Sequence, residues 1–357
     1  MLLWGAMNTD DVRINRLKPL IPPAILIEEI PLGEAQSAFV ERSRKEVGAV
    51  VSGLDDRLLC VVGPCSIHDP KAALEYAGHL KTAADRLSGE LKIVMRTYFE
   101  KPRTTVGWKG LINDPALDGS FRINDGLRQA RGLLIDVVEA GLPPGTEFLD
   151  PISPQFVADV VCWGAIGART SESQVHRELA SGLSMPVGFK NGTGGSVKIA
   201  LDAIGAASQP HQFLSVTKQG LAAIVETKGN EHTHLILRGG GGKSNFGAES
   251  VSGAARGLTD AGLKNGIMID CSHANSGKDP EKQPLVADAV AQQLEAGAGQ
   301  IIGVMVESFL VAGNQKLGSP DALTYGQSVT DACLSWKDTV PLLERLARGV
   351  SGRRKRG

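Results

Sequence analysis

Short apolar runs of three to six residues recur along the chain, and most are followed by a stretch whose apolar positions repeat at helical spacing. Apolar runs bounded by turn-forming residues indicate strands buried on both faces, and the 3.6-residue repeat indicates amphipathic helices. The predicted strands lie at 58–62, 91–95, 146–149, 164–167, 186–189, 234–237, 267–269 and 301–306. The predicted helices lie at 71–87, 125–140, 171–181, 196–207, 248–261 and 284–296.

The alternation of strand and helix predicts the fold. Strands that alternate with helices form parallel βαβ units, which belong to the α/β class. Eight such units match the (β/α)8 or TIM barrel. An open doubly wound sheet would usually carry a glycine-rich dinucleotide fingerprint after its first strand, and the sequence has none there. We therefore predict a (β/α)8 barrel over residues 54–350.

Three segments lie outside the eightfold pattern. Residues 1–53 form an N-terminal extension, and residues 213–228 read as two strands around a Lys218-Gln219-Gly220 turn. We interpret 211–229 as a β-hairpin inserted between barrel strands 5 and 6. Residues 351–357 are predicted to be a basic, solvated tail. Additions to a barrel serve assembly and regulation or are simply tolerated, and the pattern leaves both readings open for the extension and the hairpin.

Composition narrows the classes of protein. The formal net charge of -1 gives no field that would attract nucleic acid or an anionic membrane. No apolar stretch approaches the length of a membrane span. Five cysteines at irregular spacing suit a reducing compartment better than a disulfide framework. We expect a cytoplasmic protein whose partners include neither nucleic acid nor membrane.

Polar side chains follow each predicted strand. Barrel enzymes place their active sites at the carboxyl ends of the strands, so these side chains should converge on one mouth. A single strand-end residue of this kind is more often solvated, but a series around the whole ring predicts a site. The series is Cys65, Arg96, Glu147, Asp150, Arg169, Lys190, Arg238, His273 and Glu307.

Basic residues dominate this series. Clustered cations repel one another unless an anionic ligand neutralises them, and arginine matches phosphate and carboxylate oxygens bidentately. We therefore expect two phosphorylated substrates. The run 101–105 adds two cations and two hydroxyls suited to a second phosphate or to sugar hydroxyls. The basic residues are Arg96, Lys101, Arg103, Lys109, Arg169, Lys190 and Arg238.

A second set could hold a metal. Cys65, His273, Glu307 and Asp331 combine soft and hard donors, which accept several divalent first-row ions. Taken one by one, Cys65 could be a buried structural thiol and His273 a hydrogen-bonded core histidine. Glu307 follows an apolar run and needs a partner. The residues alone leave these readings open. The other cysteines, Cys60, Cys162, Cys271 and Cys333, are interpreted as structural, although Cys333 lies close to Asp331 in sequence.

Several longer phrases carry a resemblance. They are 63–69 (GPCSIHD), 96–110 (RTYFEKPRTTVGWKG), 164–170 (GAIGART), 188–193 (GFKNGT), 237–240 (LRGG), 272–276 (SHANS) and 328–333 (SVTDAC). From about Asp10 to Leu346 the chain resembles the microbial, feedback-regulated type I 3-deoxy-D-arabino-heptulosonate-7-phosphate (DAHP) synthases. That family condenses phosphoenolpyruvate with erythrose 4-phosphate to give DAHP and phosphate, the first step of the shikimate pathway.

The resemblance implies roles for particular residues. A divalent ion, Mn²⁺, Fe²⁺ or similar, would be held by Cys65, His273, Glu307 and Asp331. Phosphoenolpyruvate would be bound by Arg96, Lys101, Lys109, Glu147, Gly167, Ala168, Arg169, Lys190 and Arg238. Erythrose 4-phosphate would be bound by Lys101, Arg103 and Thr104. Lys101, Cys65 and His273 are the expected catalytic residues, with Lys101 as a proton donor whose pKa other cations should lower.

The resemblance also implies regulation. An aromatic amino acid would bind between the hairpin and an N-terminal segment from a neighbouring subunit of a homodimer or homotetramer. Ser215, where tyrosine-responsive relatives tend to have glycine, favours phenylalanine as the effector. The positions implied are Asp10, Asp11, Pro154, Gln155, Leu179, Leu183, Ser184, Phe213, Ser215 and Val225.

Three alternatives stay open at this point. A sibling enzyme would condense phosphoenolpyruvate with arabinose 5-phosphate, although it resembles this chain less over 101–105. A Schiff-base aldolase would use Lys190 as its nucleophile. A non-catalytic regulatory paralogue would keep the fold and bind ligands without turning them over.

Overall fold

The computed structural model describes residues 9–102, 107–318 and 322–356. Eight parallel strands close into a barrel through the pairing of β1 with β10, so the prediction of a (β/α)8 barrel is confirmed. The strands are β1 (Leu58–Gly63), β2 (Leu91–Arg96), β3 (Pro144–Glu147), β4 (Trp163–Ile166), β5 (Val187–Lys190), β6 (Gln212–Val216), β7 (Ala222–Glu226), β8 (Thr233–Leu237), β9 (Ile267–Asp270), β10 (Ile301–Phe309) and β11 (Leu334–Ser335).

Helices surround the barrel, and all six predicted ones are present. The first of them, α3, begins where the Asp69 carboxylate accepts hydrogen bonds from two backbone N–H groups and Pro70 occupies the first turn. The helices are α1 (Pro23–Glu29), α2 (Glu34–Val51), α3 (Pro70–Arg86), α4 (Ile123–Glu139), α5 (Pro154–Val157), α6 (Gln174–Gly182), α7 (Lys198–Ala207), α8 (Ala248–Asp260), α9 (Gln283–Glu295) and α10 (Trp336–Arg354).

The burial of the strands explains why they read as continuous apolar runs. Leu59 and Val61 of β1 point into the barrel, where they pack with Met268 and Met305. Leu58 and Cys60 of the same strand point outward and join the core beneath the helices. Because both faces of each strand are covered, polar residues are tolerated mainly at the strand ends. The mouth of the barrel is where such residues gather.

Part of the N-terminal extension belongs to the barrel core. Val47, Val50 and Val51 of α2 are buried in the same cluster as the barrel interior. The Val51 carbonyl accepts a hydrogen bond from Gly266, immediately before β9. Fully burying a valine contributes roughly 1.5–3 kcal/mol. The end of α2 therefore closes the amino-terminal end of the barrel, opposite the mouth.

The inserted hairpin is present where the sequence predicts it. Strands β6 and β7 pair antiparallel, with Leu214 opposite Ile224 and Phe213 opposite Val225. Side chains alternate between the two faces of a strand. Phe213 and Val225 face the rest of the protein, whereas Leu214 and Ile224 are exposed.

The predicted basic tail needs a correction. Helix α10 continues through Arg354, so the segment from residue 351 begins as helix rather than as a separate solvated end. The Arg354 Nε donates to an Asp56 carboxylate oxygen over 2.7 Å, and Arg353 donates to the Asp56 carbonyl. These contacts fasten the helix end to the loop before β1. Within the described ranges, we find no helix with the length and apolar character needed to cross a membrane.

Candidate active site

A cavity of about 190 Å³ opens at the carboxyl ends of the barrel strands. It is lined by residues that end or follow seven of the eight barrel strands, as the predicted convergence at the mouth requires. The sequence-predicted residues that line it are Arg96, Lys101, Glu147, Gly167, Ala168, Arg169, Lys190, Arg238, His273 and Asp331.

Arg96, at the end of β2, is fixed from several directions. Its guanidinium donates to Glu307 Oε1 and to the Pro64 carbonyl, each over 3.0 Å. The same group lies 3.5 Å from the centre of the Tyr98 ring, a cation–π contact. Both members of the Arg96–Glu307 ion pair are buried. A buried pair with these additional contacts holds one cation in a defined orientation at the floor of the cavity.

A buried carboxylate organises the opposite wall. Asp270, the last residue of β9, lies 3.1 Å from the Lys190 ammonium and 2.9 Å from His273 Nδ1. Ser272 donates to it over 2.6 Å. Burial by itself raises the pKa of Asp270, but Lys190 and His273 hold it well below its usual value. Because Nδ1 of His273 contacts the Asp270 carboxylate, Nε2 is the ring nitrogen that points away from Asp270.

Asp270 was missed among the candidate site residues. The sequence does contain a signal for Asp270: this carboxylate directly follows the apolar run 267–269, just as Glu307 follows the apolar run 301–306. A carboxylate that orients the second ring nitrogen of a histidine is typical of metal-binding histidines. The motif at 272–276 contains His273 but not Asp270, the residue that positions it.

Three of the predicted metal ligands lie together. One ligand atom each from Cys65, Glu307 and Asp331 lies within 4.8 Å of the other two. His273 borders this group, with its Nε2 4.0 Å from Glu307 Oε1. A thiol, two carboxylates and an adjacent imidazole suit a divalent first-row ion. Two cations contact the cluster: the Lys101 ammonium lies 2.8 Å from the Cys65 sulfur, and the Arg96 guanidinium pairs with Glu307. The residues present therefore fit the predicted metal.

The expectation for the pKa of Lys101 is wrong. Burial does lower it, but Cys65, Glu307 and Asp331 raise it by more, and the net shift is upward. The sequence suggested crowding by other cations. In the fold, the Lys101 ammonium instead lies against the acidic cluster, 2.9 Å from Asp331 Oδ2. The neighbouring charges therefore have the opposite sign from those expected.

Gly167 lies close to the Glu147 side chain. A Cβ atom at Gly167 would lie 2.5 Å from the Glu147 Oε1 atom, so a larger residue would displace the end of the Glu147 side chain. Gly167 and Ala168 both line the cavity together with Glu147.

Some predicted residues lie elsewhere, and others were missed. Among the described residues, Lys109 is exposed and outside the lining of the cavity, although its carbonyl accepts a hydrogen bond from the Lys101 N–H. Arg103 and Thr104 lie outside the described residues. The lining also includes Tyr98, Pro102, Thr170, Thr193 and Lys278, which sequence reasoning did not single out.

A second cavity, of about 690 Å³, lies between the hairpin and helices α1, α2, α5 and α6. Of the described residues predicted for an effector site, Asp10 and Asp11 are exposed and do not line it. Glu41, Arg44, Asp159 and Lys218 add charge to its wall. The predicted residues that do line it are Pro154, Gln155, Leu179, Leu183, Ser184, Phe213, Ser215 and Val225.

One short segment lines the second cavity and also contacts the residue before Lys101. The Ser215 hydroxyl donates to the Pro151 carbonyl over 3.2 Å on the side of the hairpin. Two residues later, the Ser153 hydroxyl donates to Glu100 Oε2 over 3.3 Å. Glu100 directly precedes Lys101 of the barrel mouth. The segment around residues 151–153 therefore joins the wall of one cavity to the wall of the other.

The fold and the mouth place the chain among α/β barrels with a cationic cavity at the carboxyl ends of their strands. A family model described as the DAHP synthetase I family matches residues 29–344. The chain belongs to this family, as the sequence motifs predicted.

Its relatives cover almost the whole chain. The phenylalanine-sensitive phospho-2-dehydro-3-deoxyheptonate aldolase of Escherichia coli K12 is 59% identical over 347 residues, 97% of this chain and 99% of the relative. A tyrosine-inhibited enzyme of the same name from Schizosaccharomyces pombe is 54% identical over 98% of this chain and 95% of its own. The solved Francisella tularensis SCHU S4 enzyme of that name has a TM-score of 0.94 at 54% identity, covering 96% of this chain and 99% of its own. The predicted enzyme class is confirmed.

Proposed function

We propose that this chain joins phosphoenolpyruvate to erythrose 4-phosphate, giving DAHP and phosphate, as the first step of the shikimate pathway. The observation that carries the proposal is that Asp331 lines the cationic cavity at the barrel mouth and also belongs to the acidic group formed with Cys65 and Glu307. The cationic wall suits a small, highly charged phosphate ester. The acidic group suits an ion that would polarise an aldehyde.

Phosphoenolpyruvate would bind to the cationic wall. Arg96 and Lys190 are buried and held by carboxylate partners, so they are oriented before substrate arrives. Arg169 and Arg238 supply guanidinium forks for phosphate or carboxylate oxygens. The proposed set is completed by Lys101, Lys109, Glu147 and the backbone of Gly167 and Ala168. Such preorganised cations stabilise charge as it moves during the reaction.

The proposed chemistry forms one carbon–carbon bond and breaks one carbon–oxygen bond. C3 of phosphoenolpyruvate attacks the aldehyde carbon, and a water molecule adds its oxygen to C2. The aldehyde oxygen takes up a proton, and we assign this donation to Lys101 from its position at the mouth. The water loses one proton as it adds, and the new C2 hydroxyl loses the other as the C2–O bond to phosphate breaks. One of these protons restores Lys101, the other is taken up by the departing phosphate, and C2 becomes the carbonyl of the open-chain product. Arg169 and Arg238 would hold the departing phosphate.

A divalent metal would be held by Cys65, His273, Glu307 and Asp331. When bound, it would supply Lewis acidity to the aldehyde carbonyl. Asp270 would keep His273 oriented, as its 2.9 Å contact with Nδ1 supports. Gln283 fixes the backbone of Glu307 through two hydrogen bonds, of 2.8 and 2.9 Å. These two partners position ligand residues rather than contact substrate. Erythrose 4-phosphate would lie between this group and the residues Lys101, Arg103 and Thr104.

We also propose feedback inhibition by an aromatic amino acid in the second cavity. Leu179, Phe213 and Val225 provide an apolar wall for the ring. Glu41 and Arg44 lie in the same wall and could receive the ammonium and carboxylate groups. Phenylalanine remains the favoured effector because of Ser215. A contribution from Asp10 or Asp11 would come from a neighbouring subunit, as the resemblance implies.

Assembly and location form part of the same proposal. Leu214 and Ile224 on the outer face of the hairpin are 82% and 76% exposed, and Leu17 of the N-terminal segment is 79% exposed. Large apolar side chains grouped at the surface favour an interface between subunits. A homodimer or homotetramer would cover them. All five cysteines are free thiols, which agrees with a cytoplasmic location.

The substrate pair tests the proposed function. Purified chain with Mn²⁺ should consume phosphoenolpyruvate and erythrose 4-phosphate in equal amounts and release one phosphate for each. Arabinose 5-phosphate should react at least about tenfold more slowly in kcat/KM, about 1.4 kcal/mol. A preference for arabinose 5-phosphate would support the sibling enzyme, and no turnover of either would support a regulatory paralogue. Borohydride should trap no adduct on Lys190, because its side-chain nitrogen is buried in an ion pair with Asp270.

A further inference from the structure

Lys278, which has no role in the function proposed above, lies at the rim of the barrel mouth. Lys278 lines the cavity together with His273 and Asp331. It also lines the small adjoining cavity that contains Glu307. The side chain is exposed. Of the acidic groups in the described ranges, none lies within 4.0 Å of its ammonium. Lys101 pairs with Asp331 instead, and Lys282 pairs with Asp279.

The backbone holds Lys278 in a conformation that lysine rarely adopts. Its φ angle is 64°, and that of His273, where the same turn begins, is 55°. The Lys278 N–H donates to the His273 carbonyl over 2.7 Å, which closes the turn. Left-handed backbone at residues other than glycine is unfavourable, and it persists where the surrounding structure enforces it, often at functional sites.

Asn275 enforces this turn. Its side-chain amide donates to the carbonyls of Leu237 and Asp270, over 3.1 and 2.8 Å, and its Oδ1 atom accepts from the Asn245 N–H over 2.8 Å. These bonds anchor the turn to the ends of β8 and β9. The base of the Lys278 side chain is therefore fixed relative to His273, and its ammonium, which interacts electrostatically with Asp331, makes no ion pair within 4.0 Å among the described residues.

The position of Lys278 indicates which substrate it meets. The cations proposed for phosphoenolpyruvate follow strands β2, β4, β5 and β8. Lys278 follows β9, next to His273 and Asp331, on the side proposed for the aldehyde. The loop that leads toward Arg103 reaches Asp331 from the other direction through Lys101, whose ammonium lies 2.9 Å from that carboxylate. Two lysines thus flank the proposed aldehyde site.

We propose that Lys278 binds the phosphate group of the aldehyde substrate and so selects a phosphorylated aldehyde over an uncharged one. This inference rests on the proposed function. A hydrogen bond between charged groups contributes roughly 1.5–3 kcal/mol, which corresponds to about a 10- to 100-fold change in affinity. The ammonium would approach the phosphate as a point charge, so an arginine at this position should retain much of the effect.

The test compares Lys278→Met with Lys278→Arg and with Lys282→Met. Lys282 lies four residues further on, is exposed and, among the described residues, is outside the lining of the mouth, so it is the matched control. In the full chain with Mn²⁺, Lys278→Met should raise the KM for erythrose 4-phosphate at least tenfold, with less than a threefold change in the KM for phosphoenolpyruvate. Lys278→Arg should restore most of the loss, and Lys282→Met should behave as wild type.

A second arm separates a phosphate contact from a general disturbance of the site. With unphosphorylated erythrose at high concentration, wild type and Lys278→Met should have the same kcat/KM, because the contacted group is absent. Equal losses with both aldehydes would overturn the inference, as would an unchanged KM for erythrose 4-phosphate or an effect confined to phosphoenolpyruvate. Normal turnover by the wild type in the same assay keeps the proposed function intact whatever the variant does. Absence of wild-type turnover would count against the proposed function itself.

Discussion

The ammonium nitrogen of Lys101, which follows β2, lies 2.8 Å from the sulfur of Cys65, which follows the neighbouring strand β1. The same nitrogen lies 2.9 Å from Asp331 Oδ2. A residue proposed to handle protons is therefore in direct contact with two residues proposed to bind the metal. The proposed substrate binding, proton donation and metal binding would share residues here, so single substitutions should separate them only partly.

Cys65→Ser should weaken metal binding at least about tenfold, because a neutral hydroxyl replaces a soft thiolate donor. The measurement is the Mn²⁺ dissociation constant of the purified protein by calorimetric titration. Cys162→Ser is the control, since Cys162 is also buried but lies just before β4, at the end of that strand away from the mouth. Equal affinities in wild type and Cys65→Ser would remove Cys65 from the ligand set.

Arg169→Ala and Arg238→Ala should each lower kcat/KM for phosphoenolpyruvate by about 10- to 100-fold. Each change removes charge-assisted hydrogen bonds that together contribute roughly 1.5–3 kcal/mol. Arg256→Ala, on the exposed side of α8, should leave the steady-state constants unchanged. A loss confined to erythrose 4-phosphate would contradict the assignment of these two arginines.

Ser215→Gly should change which aromatic amino acid inhibits while leaving uninhibited turnover nearly intact. The hydroxyl donates to the Pro151 carbonyl in the wall of the second cavity, so its loss alters the cavity and frees that segment. Phenylalanine, tyrosine and tryptophan should be titrated separately at subsaturating substrate. Coupling between sites typically amounts to about 1–3 kcal/mol, a 5- to 150-fold change in apparent affinity.

Gln212→Ala is the matched control for Ser215→Gly, because Gln212 lies on the same strand but is exposed. Deletion of the residues before Ile14 should release inhibition without destroying catalysis. If no aromatic amino acid inhibits the intact enzyme, or if inhibition is purely competitive with substrate and survives the deletion, the second cavity is not a regulatory site.

Glu100→Gln should flatten the dependence of stability on pH. Burial raises the pKa of Glu100 to about 8, with Asp150 and Glu147 contributing and Ser153 opposing. Between the ordinary value of 4.5 and about 8, the folded protein therefore binds a proton that the unfolded chain has lost. The free energy of unfolding should fall as pH rises through this window and level off above it. Glutamine mimics the protonated form and does not ionise, so the free energy of unfolding of the variant lacks this dependence on pH.

The measurement is urea unfolding of wild type and Glu100→Gln at pH 5, 7 and 9. The variant should gain stability relative to wild type as pH increases. Glu344→Gln, on α10 and paired with Arg86 at the surface, is a control for changes in net charge. Parallel curves for wild type and Glu100→Gln would show that the Glu100 carboxyl ionises normally in the folded protein.

The barrel was predictable from sequence because its strands are covered on both faces. Leu58 packs beneath the helices and Leu59 fills the barrel, so both have to be apolar. The result is a continuous apolar run, which is visible in the sequence. The predicted third strand was displaced: 146–149 was expected, whereas β3 spans Pro144–Glu147. Proline and glycine at its start carry no strand signal, because neither favours a central strand.

The site was predictable where a residue type declares its chemistry. Glu307 follows an apolar run and its carboxylate needs a partner, which in the fold is Arg96 at the end of β2. Lys278 gave no such signal, because its role depends on a left-handed turn that brings it back over the mouth. The acidic surroundings of Lys101 could not be predicted from the sequence either, because Cys65 and Asp331 lie far from it along the chain.

The most direct test of the account is a metal titration of the condensation reaction. The purified chain, stripped with a chelator and dialysed, would be assayed for loss of phosphoenolpyruvate and release of phosphate with saturating erythrose 4-phosphate while Mn²⁺ is added. We predict no more than about 1% of full activity without metal, since Lewis-acid polarisation supplies several kcal/mol. Activity should then rise to saturation at one ion for each chain. Full activity in the stripped protein would contradict the account.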